Sequence, residues 1–141
     1  MNICFIEGDM SRSGGTERMT AIIANELYKV GYNVTIISLK NKEGSSFFPL
    51  EQGIFHNALS NGSITYFKAL RKIRKMLLKK KIDVVVSVDI GTSIYSIPAA
   101  MLTKIKVITW EHSNFYNNWG SKYFKYFRSF AAKKSDCLVV L

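Results

Sequence analysis

Two short segments hold the side chains best suited to chemistry. Trp110–Asn114 reads WEHSN, which sets a carboxylate (Glu111), an imidazole (His112) and two neutral hydrogen-bonding groups (Ser113, Asn114) side by side. Such a mixture suits the hydroxyls of a sugar-like ligand. The same histidine could equally be a surface group near a helix N-cap. Gly8–Gly15 reads GDMSRSGG. Without Cβ atoms, Gly14 and Gly15 let backbone N–H groups approach a diphosphate at the N-terminus of a following helix, where the macrodipole favours negative charge. The alternative is a tight strand–helix turn capped by Ser13 or Thr16. The loop matches neither G-x-G-x-x-G nor G-x-x-x-x-G-K-[ST], so neither a dinucleotide fingerprint nor a P-loop is present. Asp89, after the run DVVVSV, is a further carboxylate of the same kind. His56 and His112 are far apart in sequence and no D-x-D pair occurs; no metal site and no cofactor are expected.

Parallel sheets carry ligands at the carboxyl ends of their strands, so the elements must bring these segments to one edge. Strand-length apolar runs at Ile3–Ile6, Asn33–Leu39, Asp83–Val88, Lys106–Trp110 and Asp136–Leu141, with a weaker one at Ile54–Leu59, alternate with helical periods. The helices fall at Thr16–Val30, closed by Gly31, at Ile64–Lys80, at Gly91–Met101 with Pro98 inside, and at Ser121–Lys134. Near-continuous apolar strands between helices predict a mostly parallel sheet covered on both faces, a Rossmann-like three-layer α/β domain. The 141 residues fit one such domain, residues 1–141. A chain that stops on a buried strand suggests one cut at a domain's edge.

Composition narrows the class. With 48% hydrophobic and 21% charged residues, two prolines and two cysteines, the chain is neither disordered nor a disulfide scaffold. The longest uncharged apolar stretch, Ile90–Thr103, is too short to span a bilayer. MNICFIEGD has no basic region ahead of an apolar run and so is not a secretory signal. Cys4 and Cys137 read as small buried hydrophobes in a reduced, cytoplasmic setting.

The net charge is +10, from 20 Lys+Arg against 10 Asp+Glu. Thirteen of the cations lie in two acid-free segments, Lys68–Lys81 and Lys122–Lys134, leaving seven against ten acids elsewhere. On the first helix Tyr66, Leu70, Ile73, Met76 and Leu77 share an apolar arc opposite Lys68, Arg71, Lys72, Lys75 and Lys79, with Phe67, Arg74 and Leu78 at the border. This face is either solvated or fitted to an anionic membrane surface or lipid diphosphate, each cation then contributing about 1 kcal/mol. On the second helix Tyr123, Phe124, Tyr126, Phe127 and Phe130 project to the side of Ala131, and Lys122, Lys125, Arg128 and Lys133 to the other. That aromatic face is core or, with Trp119, an interfacial anchor.

S-x-x-G-G-T-E-R (Ser11–Arg18), the amphipathic helix behind it and G-Y-x-V-T-I-I (Gly31–Ile37) resemble the start of family 4 glycosyltransferases, retaining enzymes of the two-domain GT-B architecture. DVVVSVD (Asp83–Asp89) resembles the family's fourth-strand segment, and EHSN (Glu111–Asn114) a motif of bacterial members that build lipid-linked or surface glycans. The resemblance covers the whole chain. It implies that Gly14, Gly15 and Thr16 lie beside the donor diphosphate and that His112 is catalytic, lining the cleft near the transferred sugar. Glu111, Ser113, Asn114 and Asp89 would bind the acceptor. It further implies a UDP- or GDP-sugar donor, a glycan or polyprenyl-diphosphate-linked acceptor, and a peripheral position at the inner face of the cell membrane. The donor-binding C-terminal domain would be absent, so the 141 residues alone would be inactive. The competing readings are a basic Rossmann-like nucleotide- or nucleic-acid-binding module and a dinucleotide oxidoreductase. No RNP-like, helix-turn-helix or zinc-ligand pattern supports nucleic acid.

Overall fold

A computed structural model describes residues 1–41, 43–112 and 123–140. The chain runs β1 (Asn2–Glu7), α1 (Gly15–Lys29), β2 (Asn33–Ser38), β3 (Phe55–Ala58), α2 (Tyr66–Lys79), β4 (Val84–Val88), α3 (Ile90–Ala100), β5 (Lys106–Glu111), α4 (Phe124–Lys134) and β6 (Cys137–Val140). All six strands are parallel, in the order β3-β2-β1-β4-β5-β6. The predicted α/β class and the weak third strand are both observed. Strand order reverses between β1 and β4, where Ile6 stands beside Ser87.

Alternation along the strands divides the core. Ile3, Phe5 and Ile36 face α1, meeting Ala21 and Ala24, with Phe48 and Leu50 of the β2–β3 connection packed on the same cluster. Cys4, Ile6, Ile37 and Val85 face α2 and α3, meeting Ala69, Ile73, Leu77 and Ala99. A third cluster joins α3 to α4 through Ile90, Ile97, Ala100, Val107 and Ala131.

Local chemistry explains the helix limits. Gly31, at φ +94°, follows α1 where a side chain would be strained, and its N–H donates to the Tyr28 carbonyl. Pro98 inside α3 cannot donate to the carbonyl one turn back. That carbonyl, of Ile94, accepts instead from the Tyr66 hydroxyl at 2.9 Å. Arg74 Nη1 donates to the Ala99 and Met101 carbonyls at 3.0 and 2.7 Å, closing the C-terminus of α3.

Four expectations change. β6 is an exposed edge strand rather than a buried one, and Cys137 on it is exposed whereas Cys4 is buried. An outer strand with no further neighbour across its edge has no second side to shield it. The start of α1 is capped by neither Ser13 nor Thr16: Gly14 is the N-cap and no side chain bonds there. Arg128 lies on the buried side of α4, while Tyr123 and Tyr126 are exposed. Phe124, Phe127 and Phe130 do pack inward as expected. Trp119 and Lys122 lie outside the described residues.

Candidate functional site

The sheet order brings the predicted site residues to one edge. β1 ends at Glu7, β4 runs into Asp89 and β5 ends at Glu111. The Asp89 amide donates to the Trp110 carbonyl at 2.8 Å, so the β4–α3 turn is tied to the end of β5. Asp89 adopts φ +79° and ψ 151°, a backbone region that favours glycine and is strained for a residue with a side chain. Its Oδ1 accepts from the Gly91 amide at 2.6 Å and caps α3. Burial raises its carboxyl above the ordinary aspartate range; the Gly91 bond opposes this, Glu111 adds to it, and His112 and Arg128 oppose it.

Glu111 is buried and faces Arg128 of α4, with Arg128 Nε 3.7 Å from Glu111 Oε2. Its carboxylate therefore points toward the helix layer, which sets the charge beside His112 and Asp89 rather than reaching outward itself. The His112 ring lies 4.1 Å from that of Trp110, centroid to centroid. Its Nε2 is buried and has no hydrogen-bond partner among the described residues. Burial lowers the His112 pKa, against the pull of Asp89 and Glu111, and so favours a neutral imidazole. A neutral imidazole can accept from, or donate to, a ligand hydroxyl through its ring nitrogens. Ser113 and Asn114 lie outside the described residues.

The glycine loop leaves β1 on the neighbouring strand. Glu7, its root, is buried, with Oε1 accepting from the Gly8 amide at 2.9 Å and Oε2 from Thr20 Oγ1 at 3.3 Å. Burial pushes this carboxyl up to about 8, and the nearby charges of Glu17 and Asp89 add to the rise. Asp9 Oδ1 accepts from Ser11 N and Oγ, shaping the turn that follows. A Cβ on Gly14 would collide with the Glu17 carboxylate, whereas one on Gly15 would meet nothing. Gly14 thus makes room for an acid of α1's own first turn, and Thr16 sits half-buried between them. A cavity of about 480 Å³ lies against this loop, lined by Ser11, Arg12, Ser13, Gly14, Glu43 and Phe47. Asn41, fully buried, holds the stretch that carries Glu43 of this lining: its Oδ1 accepts from the Glu43 and Gly44 amides at 3.0 and 2.8 Å.

Other candidates sit elsewhere. His56 bonds Ser38 through Nε2 at 2.8 Å on β3 and β2, away from His112. The cations of α2 line its outer side: Lys68, Arg71, Lys75 and Lys79 are exposed. Lys72 is exposed too, but its Nζ donates to the Leu59 carbonyl at 2.7 Å and is less available for a ligand. Sequence reasoning missed Glu7, Asn41 and Arg128 as organisers of the edge. Arg128 was findable: at 100° per residue it stands 40° from Phe124 and 60° from Ala131, at the border of the apolar arc. Asn41 had no signal beyond lying in a loop.

The sequence profile of the family described as Glycosyltransferase Family 4 matches residues 13–141. The chain belongs to glycosyltransferase family 4. A Haemophilus influenzae protein described as an uncharacterized glycosyltransferase is 31% identical over 117 residues, covering 80% of this chain and 33% of its own length. The Campylobacter jejuni GalNAc-alpha-(1->4)-GalNAc-alpha-(1->3)-diNAcBac-PP-undecaprenol alpha-1,4-N-acetyl-D-galactosaminyltransferase is 34% identical over 122 residues, covering 81% and 33%. Among solved structures, the UDP-GlcNAc 2-epimerase of Methanocaldococcus jannaschii superposes with a TM-score of 0.71 at 27% identity, over 98% of this chain and 38% of that one. The family 4 chain thus spans about a third of the length of the curated relatives it matches.

Proposed function

We propose that this chain is the acceptor-side domain of a retaining, nucleotide-sugar-dependent glycosyltransferase, working with a donor-binding domain that the 141 residues do not include. In the reaction, the bond from the sugar's anomeric carbon to the donor diphosphate breaks and one to an acceptor hydroxyl oxygen forms. The hydroxyl proton leaves with the nucleoside diphosphate. His112 positions and polarises the reacting sugars through its Nε2. Asp89 binds acceptor hydroxyls together with Ser113 and Asn114, and Glu111 tunes the histidine from behind. Gly14, Gly15 and Thr16 flank the diphosphate of a UDP- or GDP-sugar. The acceptor is a glycan or polyprenyl-diphosphate-linked saccharide, a class supported by the Campylobacter relative's undecaprenol-linked substrate. Lys68, Arg71, Lys75 and Lys79 on the outer side of α2 meet the anionic surface that holds such an acceptor. The domain works peripherally at the inner face of the membrane. No helix among the described residues is long and apolar enough to cross a membrane.

The observation that carries this reading is the convergence of Asp89, Glu111 and His112 at the strand ends next to the glycine loop, in a chain of this family. In the protein that joins this domain to its donor-binding partner, His112→Ala is expected to reduce the transfer rate about a hundredfold. The thermal midpoint should stay unchanged. Sugar release from a UDP- or GDP-sugar into a lipid-linked acceptor is the measurement; a near-normal rate in the variant would refute the role. The archaeal neighbour acts on UDP-GlcNAc as an epimerase. Conversion of the donor at C2 without transfer to any acceptor would therefore favour that chemistry instead.

A further inference from the structure

The most exposed large apolar side chains among the described residues are Leu102 at 98% and Phe67 at 79%. They belong to one surface. Counting along α2, Phe67, Arg71, Arg74 and Leu78 recur at spacings of four, three and four, which is a single stripe. Leu78 is 52% exposed. Arg74, in the middle of the stripe, grips the Met101 carbonyl, which brings the α3–β5 turn alongside. Met101 is 57% exposed. The stripe flanks the basic arc on the α3 side, and Lys72, bonded to Leu59, marks the other flank.

Leu102 occupies a position that local chemistry does not favour. Ala100–Thr103 form a β-turn closed by Thr103 N donating to the Ala100 carbonyl at 3.2 Å. Met101 has φ −54° and ψ 142°, and Leu102 has φ +60°. That is the type II pattern, whose third residue is ordinarily Gly or Asn because φ is positive there. A leucine is strained in this conformation, and at 98% exposure it recovers nothing by packing within the chain. Thr103 Oγ1, donating to Ala100 at 2.6 Å, and the Arg74 grip hold the turn in place. Rule-breaking of this kind marks a surface made for a partner.

Charge identifies the partner. Residues 64–82 and 90–106, which supply α2, α3 and the turn, contain ten cations and no acid. Two acids at the same sheet edge are already engaged: Asp83 accepts from the Asn2 amide, and Asp136 pairs with Lys106 at 2.7 Å. Apolar tips standing above a field of one sign fit an anionic bilayer, with cations at the headgroups and side chains in the acyl boundary. We infer that Phe67, Leu78, Met101 and Leu102 insert into an anionic membrane, with Leu102 as the wedge, so that the docking surface is the α2–α3 flank and not the basic arc alone. This rests on the membrane reading above and adds to it the residues that penetrate.

The test uses the 141-residue chain and co-sedimentation with phosphatidylcholine vesicles, with or without phosphatidylglycerol. The wild-type chain should bind only the anionic vesicles. Leu102→Gly relieves the positive φ, so its thermal midpoint should not fall, yet vesicle affinity should drop about tenfold. Phe67→Ser should act in the same direction. If wild-type and both variants bind alike while Lys68→Glu with Lys75→Glu abolishes binding, the insertion is overturned and the membrane reading survives. Absence of wild-type binding overturns both, and a self-association in vesicle-free solution that Leu102→Gly abolishes overturns the insertion alone.

Discussion

Glu7 shows how a single side chain can link the glycine loop to the sheet and to pH. Its carboxyl is buried, bonded to Gly8 and Thr20, and raised by burial to about 8. In the unfolded chain it titrates near 4.5. Between those values the folded state keeps a proton that the unfolded state releases, so this group's contribution to stability falls as pH rises. The loss is complete above about 8 and absent below about 4.5. Glu7→Gln keeps both acceptor and donor capacity but cannot ionise. Its thermal midpoint relative to wild type should therefore climb from pH 5 to pH 8, by an amount reflecting a few kcal/mol at the upper end. A difference that stays flat across this range in calorimetry would show that Glu7 ionises freely in the fold. The neutral state of His112 also follows from burial; Glu7 ends β1 at the switch point, and His112 follows β5 on the same sheet edge.

At the scale of elements, α4 contributes a charge to the edge that its sequence disguises. Most of the fold was legible: buried runs such as VVVSV and KVITW announced central strands, and the period change after Gly15 announced α1. What escaped was decided by tertiary context. Arg128 is a cation in an acid-free segment, so composition put it in solvent, yet Glu111 at the end of β5 is the partner that lets it be buried. Glu111 was legible as a strand-end carboxylate, but its facing α4 depended on the pleat of β5. Asn41 organises the wall beside the glycine loop through backbone amides that only the folded loop brings to it. Because both members of the Glu111–Arg128 pair are nearly inaccessible, Arg128→Met should destabilise the domain by about 3 kcal/mol, and combining it with Glu111→Gln should recover much of that. Urea unfolding of the two variants tests this. Equal losses in the single and double variants would mean that the pair is not the source.

For the whole molecule, the sheet order β3-β2-β1-β4-β5-β6 places Asp89, Glu111 and His112 on the same edge as the glycine loop, and leaves the cations of α2 on a separate face. In the proposed function, that edge serves as the acceptor side with part of a diphosphate cradle, and the cavity of about 480 Å³ lies beside its glycine loop. The solved neighbour it superposes on is more than twice as long, and this chain covers 38% of it. The net charge of +10 also takes its meaning at this scale. It is concentrated on the helix layer away from α1, so one side of the domain can face an anionic surface while the strand ends stay open to a donor-bearing partner. The central claim is that this domain supplies half of an active site. It is tested most directly by the rate of sugar transfer from UDP- and GDP-sugars to a polyprenyl-diphosphate-linked saccharide, measured for the 141-residue chain alone and for the protein that adds a donor-binding domain to it. The account predicts no transfer above background for the chain alone and turnover for the joined protein; robust turnover by the 141 residues alone would contradict it.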